Sequence, residues 1–221
     1  MHADYVVSGG TGVPVPISKQ SRLNAPMGAK ARRFVMAQFK SFTPGVEVRG
    51  EVIQAFVAGF PPEVKKNGLQ ILEKHGIHDA GEGEFCPLQS LLDAMQEISD
   101  RYSRQMLYRI GTQIAHNAKL PPGLDSLETC LQSIDVAYHM NHRGGDIGEY
   151  IFTDLGEEGG LRKAKMVCAN PYPCAFDRGV VEGFASRFKP PGCRDVLVRE
   201  DESQPCRRNG AESCTYIISW L

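Results

Sequence analysis

Hydrophobic positions fall into blocks whose spacing changes along the chain. From Gly50, Ile53, Phe56, Val57 and Phe60 recur at i, i+3, i+4 and i+7, one face of a helix, and Pro61-Pro62 stops that helix and opens the next. The second carries Val64, Leu69, Ile71 and Leu72 and ends at Gly76, a left-handed C-terminal cap. A longer helix is predicted from Pro87 to about Ala118, with Leu88, Leu91, Met95, Ile98, Tyr102, Leu107, Ile110 and Ile114 at near-helical spacing. Such a stripe outreaches a small sheet, so helix 87–118 is the expected contact of a homodimer. Gly111 inside it marks a close crossing, at a cost of about 1 kcal/mol against Ala.

Further on the period shortens to two. After Pro121-Pro122 and a short helical SLETCLQS, Val136, Tyr138 and Met140 alternate with Ala137, His139 and Asn141. Ile147, Glu149, Ile151 and Thr153 then alternate with Gly148, Tyr150 and Phe152. Arg143-Gly144-Gly145-Asp146 between them reads as a hairpin turn. The polar turn LGEEGGLRK leads to the strand KMVCAN, and a Pro-bracketed turn feeds a helix at Cys174 with Val180, Val181, Phe184 and Phe188 on one side. CRDVLVRE and TYIISWL supply two more strands. Short connections make the sheet antiparallel. The expected class is α+β: an antiparallel sheet of four to five strands with helices packed on one face, plus an N-terminal helical extension. By composition, residues 1–45 form a flexible lead rich in Gly, Pro and Ser, 46–85 the helical hairpin extension, and 86–221 the α+β domain.

Composition excludes several functions. The 221 residues hold 25 basic and 26 acidic side chains, and the cluster Lys30, Arg32 and Arg33 is too short to be the footprint of a nucleic-acid binder. No apolar run is long enough to span a membrane and no signal-peptide core is present, so a soluble, cytoplasmic protein is expected. Neither a P-loop nor a strand-linked GxGxxG occurs, which argues against nucleotide use.

Seven cysteines is an odd and modest number, which favours reduced thiols over a disulfide framework. Cys86 and Cys130 read as small core hydrophobes. Cys174, Cys206 and Cys214 are the expected metal ligands, joined by Cys193 or Cys168 as a fourth, with zinc as the metal and with core thiols or a reversible disulfide as the alternatives. Cys174 opens a helix, where a thiol's pKa falls; a Cys-His dyad with His139 or His142 requires the hairpin to lie over that helix start. Arg143 suits bidentate capture of a carboxylate or phosphate, although turn chemistry alone explains the neighbouring Gly144, Gly145 and Asp146.

The knuckle Cys206, Gly210 and Cys214, followed by the strand TYIISW, resembles the end of the 4-vinyl reductase domain. That family occurs alone and inside bacterial ligand-sensing regulators and is distantly related in fold to the TRAPP vesicle-tethering subunits. The resemblance covers roughly residues 85–221; the first 45 residues resemble no family. It implies a non-enzymatic sensory domain that binds a small apolar or aromatic ligand between the sheet and the long helix. The expected ligand-binding residues are Tyr138, His142, Arg143, Tyr150, Phe152, Phe184 and Trp220. The alternatives are a tetrapyrrole vinyl reductase, for which no nicotinamide or flavin site is visible, and a TRAPP-like dimeric scaffold. In some relatives zinc is held by the two knuckle cysteines, a cysteine of the preceding helix and an acid just before the knuckle. Here the helix interior lacks a cysteine, and Glu200, Asp201 and Glu202 lie four to six residues ahead of Cys206.

Overall fold

The computed structural model describes residues 38–78, 80–118 and 123–221. Most of the expected N-terminal lead, with the cluster Lys30, Arg32 and Arg33, lies outside the described residues. The chain runs β1 (Glu47–Arg49), α1 (Gly50–Ala58), α2 (Pro62–Lys74), β2 (Phe85–Pro87), α3 (Leu88–Tyr102), α4 (Arg104–Asn117), α5 (Leu127–Met140), β3 (His142–Arg143), β4 (Glu149–Glu158), β5 (Leu161–Ala169), α6 (Cys174–Arg187), β6 (Leu197–Glu200), a 3-10 turn (Arg207–Asn209) and β7 (Cys214–Trp220). Two antiparallel sheets result, ordered β2-β1-β3 and β4-β5-β7-β6. The expected α+β class is met. Ala164, Met166, Cys168, Val198, Tyr216 and Ile218 form the buried face of the larger sheet, against which α5 and α6 pack. Gly159 and Gly160, at φ 61° and 82°, make the two-residue turn between β4 and β5.

Besides the small sheet β2-β1-β3, which the sequence reading did not include, two helical segments differ from it. The helix expected over 87–118 breaks at Ser103, whose φ of 77° no helix accommodates. The break redirects the apolar stripe. Leu88, Leu91, Leu92, Met95 and Ile98 are buried along α3, which packs against α2, and Leu107, Ile110 and Ala115 along α4, which packs against α1 and α6. The stripe that would have served a second protomer is covered inside the chain.

The segment Val136–Asn141, expected as a strand, instead continues α5. Ser126 and Thr129 close a capping box at its start: the Thr129 amide donates to Ser126 Oγ at 3.1 Å and the Ser126 amide to Thr129 Oγ1 at 3.2 Å. Leu127, Leu131, Ile134 and Tyr138 then fall on one buried face, while Val136 and Met140 are 60% and 69% exposed. The alternation was a coincidence of two apolar residues on the solvent side of a helix.

Helices α4 and α6 approach backbone to backbone. A Cβ on Gly179 would lie 2.2 Å from the Tyr108 carbonyl oxygen, and one on Gly111 2.3 Å from that of Phe176. This is the close crossing that Gly111 signals, and only hydrogen fits there. Gly179→Ala is expected to destabilise the fold by about 2 kcal/mol or more through overpacking; chemical denaturation against the exposed control Gln105→Ala measures it.

A three-cysteine centre as the candidate functional site

Three elements bring three sulfurs together. Pro171 and Pro173 rigidify the exit from β5, and α6 starts at Cys174, whose amide donates to Gln38 Oε1 at 3.0 Å. Cys206 precedes the 3-10 turn, and Cys214 opens β7 opposite Cys168. Cys214 Sγ stands 2.8 Å from Cys174 Sγ and 3.1 Å from Cys206 Sγ, and the remaining pair is 3.5 Å apart. All three residues are buried. The neighbouring Cys174 thiol, the Arg207 guanidinium and the Cys206 thiol together hold the Cys214 thiol below the usual thiol range. The hydrogen bond with Cys214 drives Cys174 up, and burial raises Cys206.

Beside the sulfurs lies a buried charged network. Arg207, 2% exposed, pairs with the wholly buried Asp177. Its guanidinium also donates to the carbonyl of Asn170, to Asn170 Oδ1 at 2.9 Å and to the Tyr172 carbonyl at 2.7 Å. Among the described residues its Nε has no hydrogen-bond partner. The Arg207 amide meets Cys214 Sγ at 3.3 Å, so one residue serves both the thiols and the carboxylate. Asp177 also accepts from the Tyr150 hydroxyl at 2.6 Å, and burial pushes its carboxyl up to about 6 against the pull of Arg207.

The network continues to α5. The Tyr172 hydroxyl lies 2.9 Å from His142 Nε2, while His142 Nδ1 lies 2.7 Å from the Tyr138 carbonyl. A carbonyl only accepts, so Nδ1 carries the proton and Nε2 accepts from Tyr172. The Tyr138 hydroxyl donates to the Ile147 carbonyl at 2.6 Å. Of the buried polar or charged residues His142, Asn170, Asp177, Arg207 and Thr215, all but Thr215 belong to this one network.

The expected ligand-binding residues divide. Tyr138, His142 and Tyr150 pack on one another, with ring centroids 4.3 Å and 5.2 Å from Tyr138 to the other two. Arg143 is at the surface, 3.6 Å above the Phe85 ring, with its Nε paired to Glu47 at 2.7 Å. Phe152 faces Met166 across the β4–β5 ladder, Phe184 is buried on α6, and Trp220 lies at the far end of β7 near Arg162. Two hollows of about 370 Å³ and 270 Å³ open elsewhere, the first around Phe42, His139, Asp146, Glu149 and Glu212, the second between α1 and α2; none of the seven residues lines either. No Cys-His dyad forms, since both His142 nitrogens are committed elsewhere and Cys174 Sγ meets only sulfur. Sequence reasoning missed Arg207, Asn170, Tyr172 and Asp177, and also Gln38, which accepts from the Cys174 amide.

No family model and no curated protein matches this sequence. Solved structures do match the fold. A crystal structure of an H-NOX protein from S. oneidensis in the Fe(II)NO ligation state is 13% identical, covering 78% of this chain and 99% of its own, at a TM-score of 0.58. An oxygen-binding H-NOX domain related to soluble guanylate cyclases is likewise 13% identical over 78% of this chain and 93% of its own, at 0.54. What is shared at this identity is the H-NOX fold. The 4-vinyl reductase resemblance is thereby corrected: it rested on one knuckle and one strand, whereas the H-NOX likeness spans most of the chain. The zinc expectation is corrected with it, because the solved proteins of this fold are described by Fe(II) and heme.

Burial holds His142 neutral, lowering its pKa to about 4 from an ordinary value near 6.5. The unfolded chain therefore binds a proton that the native state refuses between those values, and the contribution of His142, about 3 kcal/mol, is complete above pH 6.5 and lost as pH falls through 4. Denaturation midpoints measured from pH 7.5 to 4 are expected to fall less steeply for His142→Gln than for the parent protein.

Proposed function

We propose that this chain is a non-enzymatic sensor module on the H-NOX fold that receives its small-molecule signal at the cysteine centre, not through heme. The observation that carries this reading is the convergence of Cys174, Cys206 and Cys214, with sulfurs no more than 3.5 Å apart, beside the buried Asp177–Arg207 pair. Three nucleophilic side chains cluster there, and Arg207 Nε and Asn170 Nδ2 beside them have no hydrogen-bond partner among the described residues.

The heme named for the H-NOX structures does not fit the residues present here. Heme needs an apolar slot and an axial side chain with a free donor atom. The space under α5 is filled by the rings of Tyr138, His142, Tyr150 and Tyr172. His142, the buried imidazole, has both nitrogens engaged. Asp146, Glu149 and Glu212 border the larger hollow and would repel the propionates of a porphyrin. The same ring packing argues against the apolar or aromatic ligand expected among those side chains.

Hemin titrated into the purified chain is expected to give no saturable Soret band at stoichiometric ratio. A one-to-one complex that His142→Ala or Tyr138→Ala abolishes would replace this reading with a heme sensor. A thiol-reactive probe, by contrast, is expected to change the tertiary signal of the parent protein, and not that of a Cys174→Ser, Cys206→Ser, Cys214→Ser triple variant.

A further inference from the structure

We propose that the cysteine centre is a thiol–disulfide site whose input is a two-electron oxidant of the peroxide class, with Cys214 and Cys206 forming the disulfide. The inference rests on the reading of the centre as the sensor's receiving site and names its chemistry.

Geometry assigns the roles. Cys214 Sγ accepts from the Arg207 amide at 3.3 Å and shares protons with the thiols of Cys174 and Cys206 at 2.8 Å and 3.1 Å, so it is the sulfur at the middle of the three. That surrounding stabilises sulfur as thiolate, the form that attacks a peroxide. Cys206 is its partner. It lies on the knuckle just before the 3-10 turn, whereas Cys174 is fixed at the start of α6, and the Arg208 Nε–H points at its sulfur from 3.3 Å. The cover over the pair is thin, because Glu202, Ser203, Gln204 and Pro205 are exposed and the chain turns back at Gly210 with φ of 84°. A water-sized oxidant needs only that knuckle to open locally.

The chemistry balances. The Cys214 sulfur attacks one oxygen of hydrogen peroxide, the O–O bond breaks, and the departing hydroxide takes up the proton the thiol has shed, leaving a sulfenic acid and one water. The Cys206 sulfur attacks the sulfenic sulfur, the S–O bond breaks, and a second water leaves with the Cys206 proton. Two thiols and one peroxide become one disulfide and two waters; the two sulfurs are oxidised and the peroxide oxygens reduced. Cys174 is left as a thiol that has lost its hydrogen-bond acceptor. The Arg207 amide loses the same acceptor, so the oxidised centre loosens the residue that holds Asp177.

The test uses the full chain. Hydrogen peroxide is added to reduced protein, thiols are counted after denaturation, and the peptides are mapped by mass. The expected result is a fall of two from the seven free thiols, a Cys206–Cys214 linked peptide lighter by two hydrogens, and recovery of both thiols with dithiothreitol. Cys206→Ser is expected to abolish the linked peptide and Cys130→Ser to leave it unchanged, so a misfolded Cys214→Ser does not decide the matter. Retention of all thiols, irreversible sulfinic acid alone, or a disulfide through Cys86 or Cys193 overturns the proposal. Where peroxide leaves the centre intact but an alkylating electrophile still modifies Cys214, the oxidant class falls and the sensor reading stands. Inertness to both removes both.

Discussion

A guanidinium cannot be carried into a protein interior unless its charge is met there, and the arrangement around the cysteines follows from how Arg207 meets that condition. Its charge is answered by Asp177 and its fork by carbonyl oxygens of the β5–α6 turn. These contacts dictate where the turn lies, hence where α6 begins, hence where Cys174 sits. The Arg207 amide simultaneously locates Cys214. Remove the ion pair and a buried charge is left unpaired, which costs several kcal/mol in comparable cases. Keeping it adds little to net stability, because desolvating both groups consumes most of the Coulombic gain. What the pair supplies is position.

The same residues tie the knuckle to α5. Tyr150, Cys168 and Cys214 occupy one row across β4, β5 and β7. Tyr150 reaches from that row to Asp177, and Tyr172 from the α6 turn to His142 at the end of α5. Every step is a hydrogen bond between buried groups, where the low dielectric strengthens the bond and raises the cost of leaving a partner unmatched. A change at the sulfurs therefore cannot be absorbed by water. It has to be taken up by Arg207, Asp177 and the side chains that depend on them.

Part of this was legible in the chain and part was not, for physical reasons. The α1–α2 hairpin, the β4–β5 pair, α6 and β7 could be read because proline, paired glycines and apolar periodicity are local signals. The convergence of Cys174, Cys206 and Cys214 was expected from their positions at a helix start and a knuckle. The break at Ser103 was not readable, since serine carries no mark of positive φ and the apolar spacing runs through it undisturbed. The end of α5 was misread because Val136 and Met140 are apolar yet exposed. Arg207 could not be told from Arg208 by sequence: adjacent arginines, one fully buried and one paired with Glu200 at the surface, differ only in what the fold sets beside them. The knuckle motif misled on family because it is short enough to recur on unrelated frames.

The H-NOX frame constrains the layout of helices and sheet, and the identity of 13% leaves the interior free to differ. A pocket requires that side chains facing one another across α5 and the sheet be small, or turned aside. Here they are three tyrosines and a histidine that bond one another, the backbone and Asp177, and such a cluster is closed by its hydrogen bonds as much as by its volume. Opening it for a guest would strand the Tyr172 hydroxyl, the Tyr138 hydroxyl and His142 at once, at about 1–3 kcal/mol for each buried group left unmatched. A change at Cys214 strands less, since only the Cys174 thiol and the Arg207 amide lose an acceptor there. On the proposed reading, signal enters where the least buried structure has to be broken, and the tyrosine–histidine cluster, rigid because it is fully bonded, passes the strain on to α5.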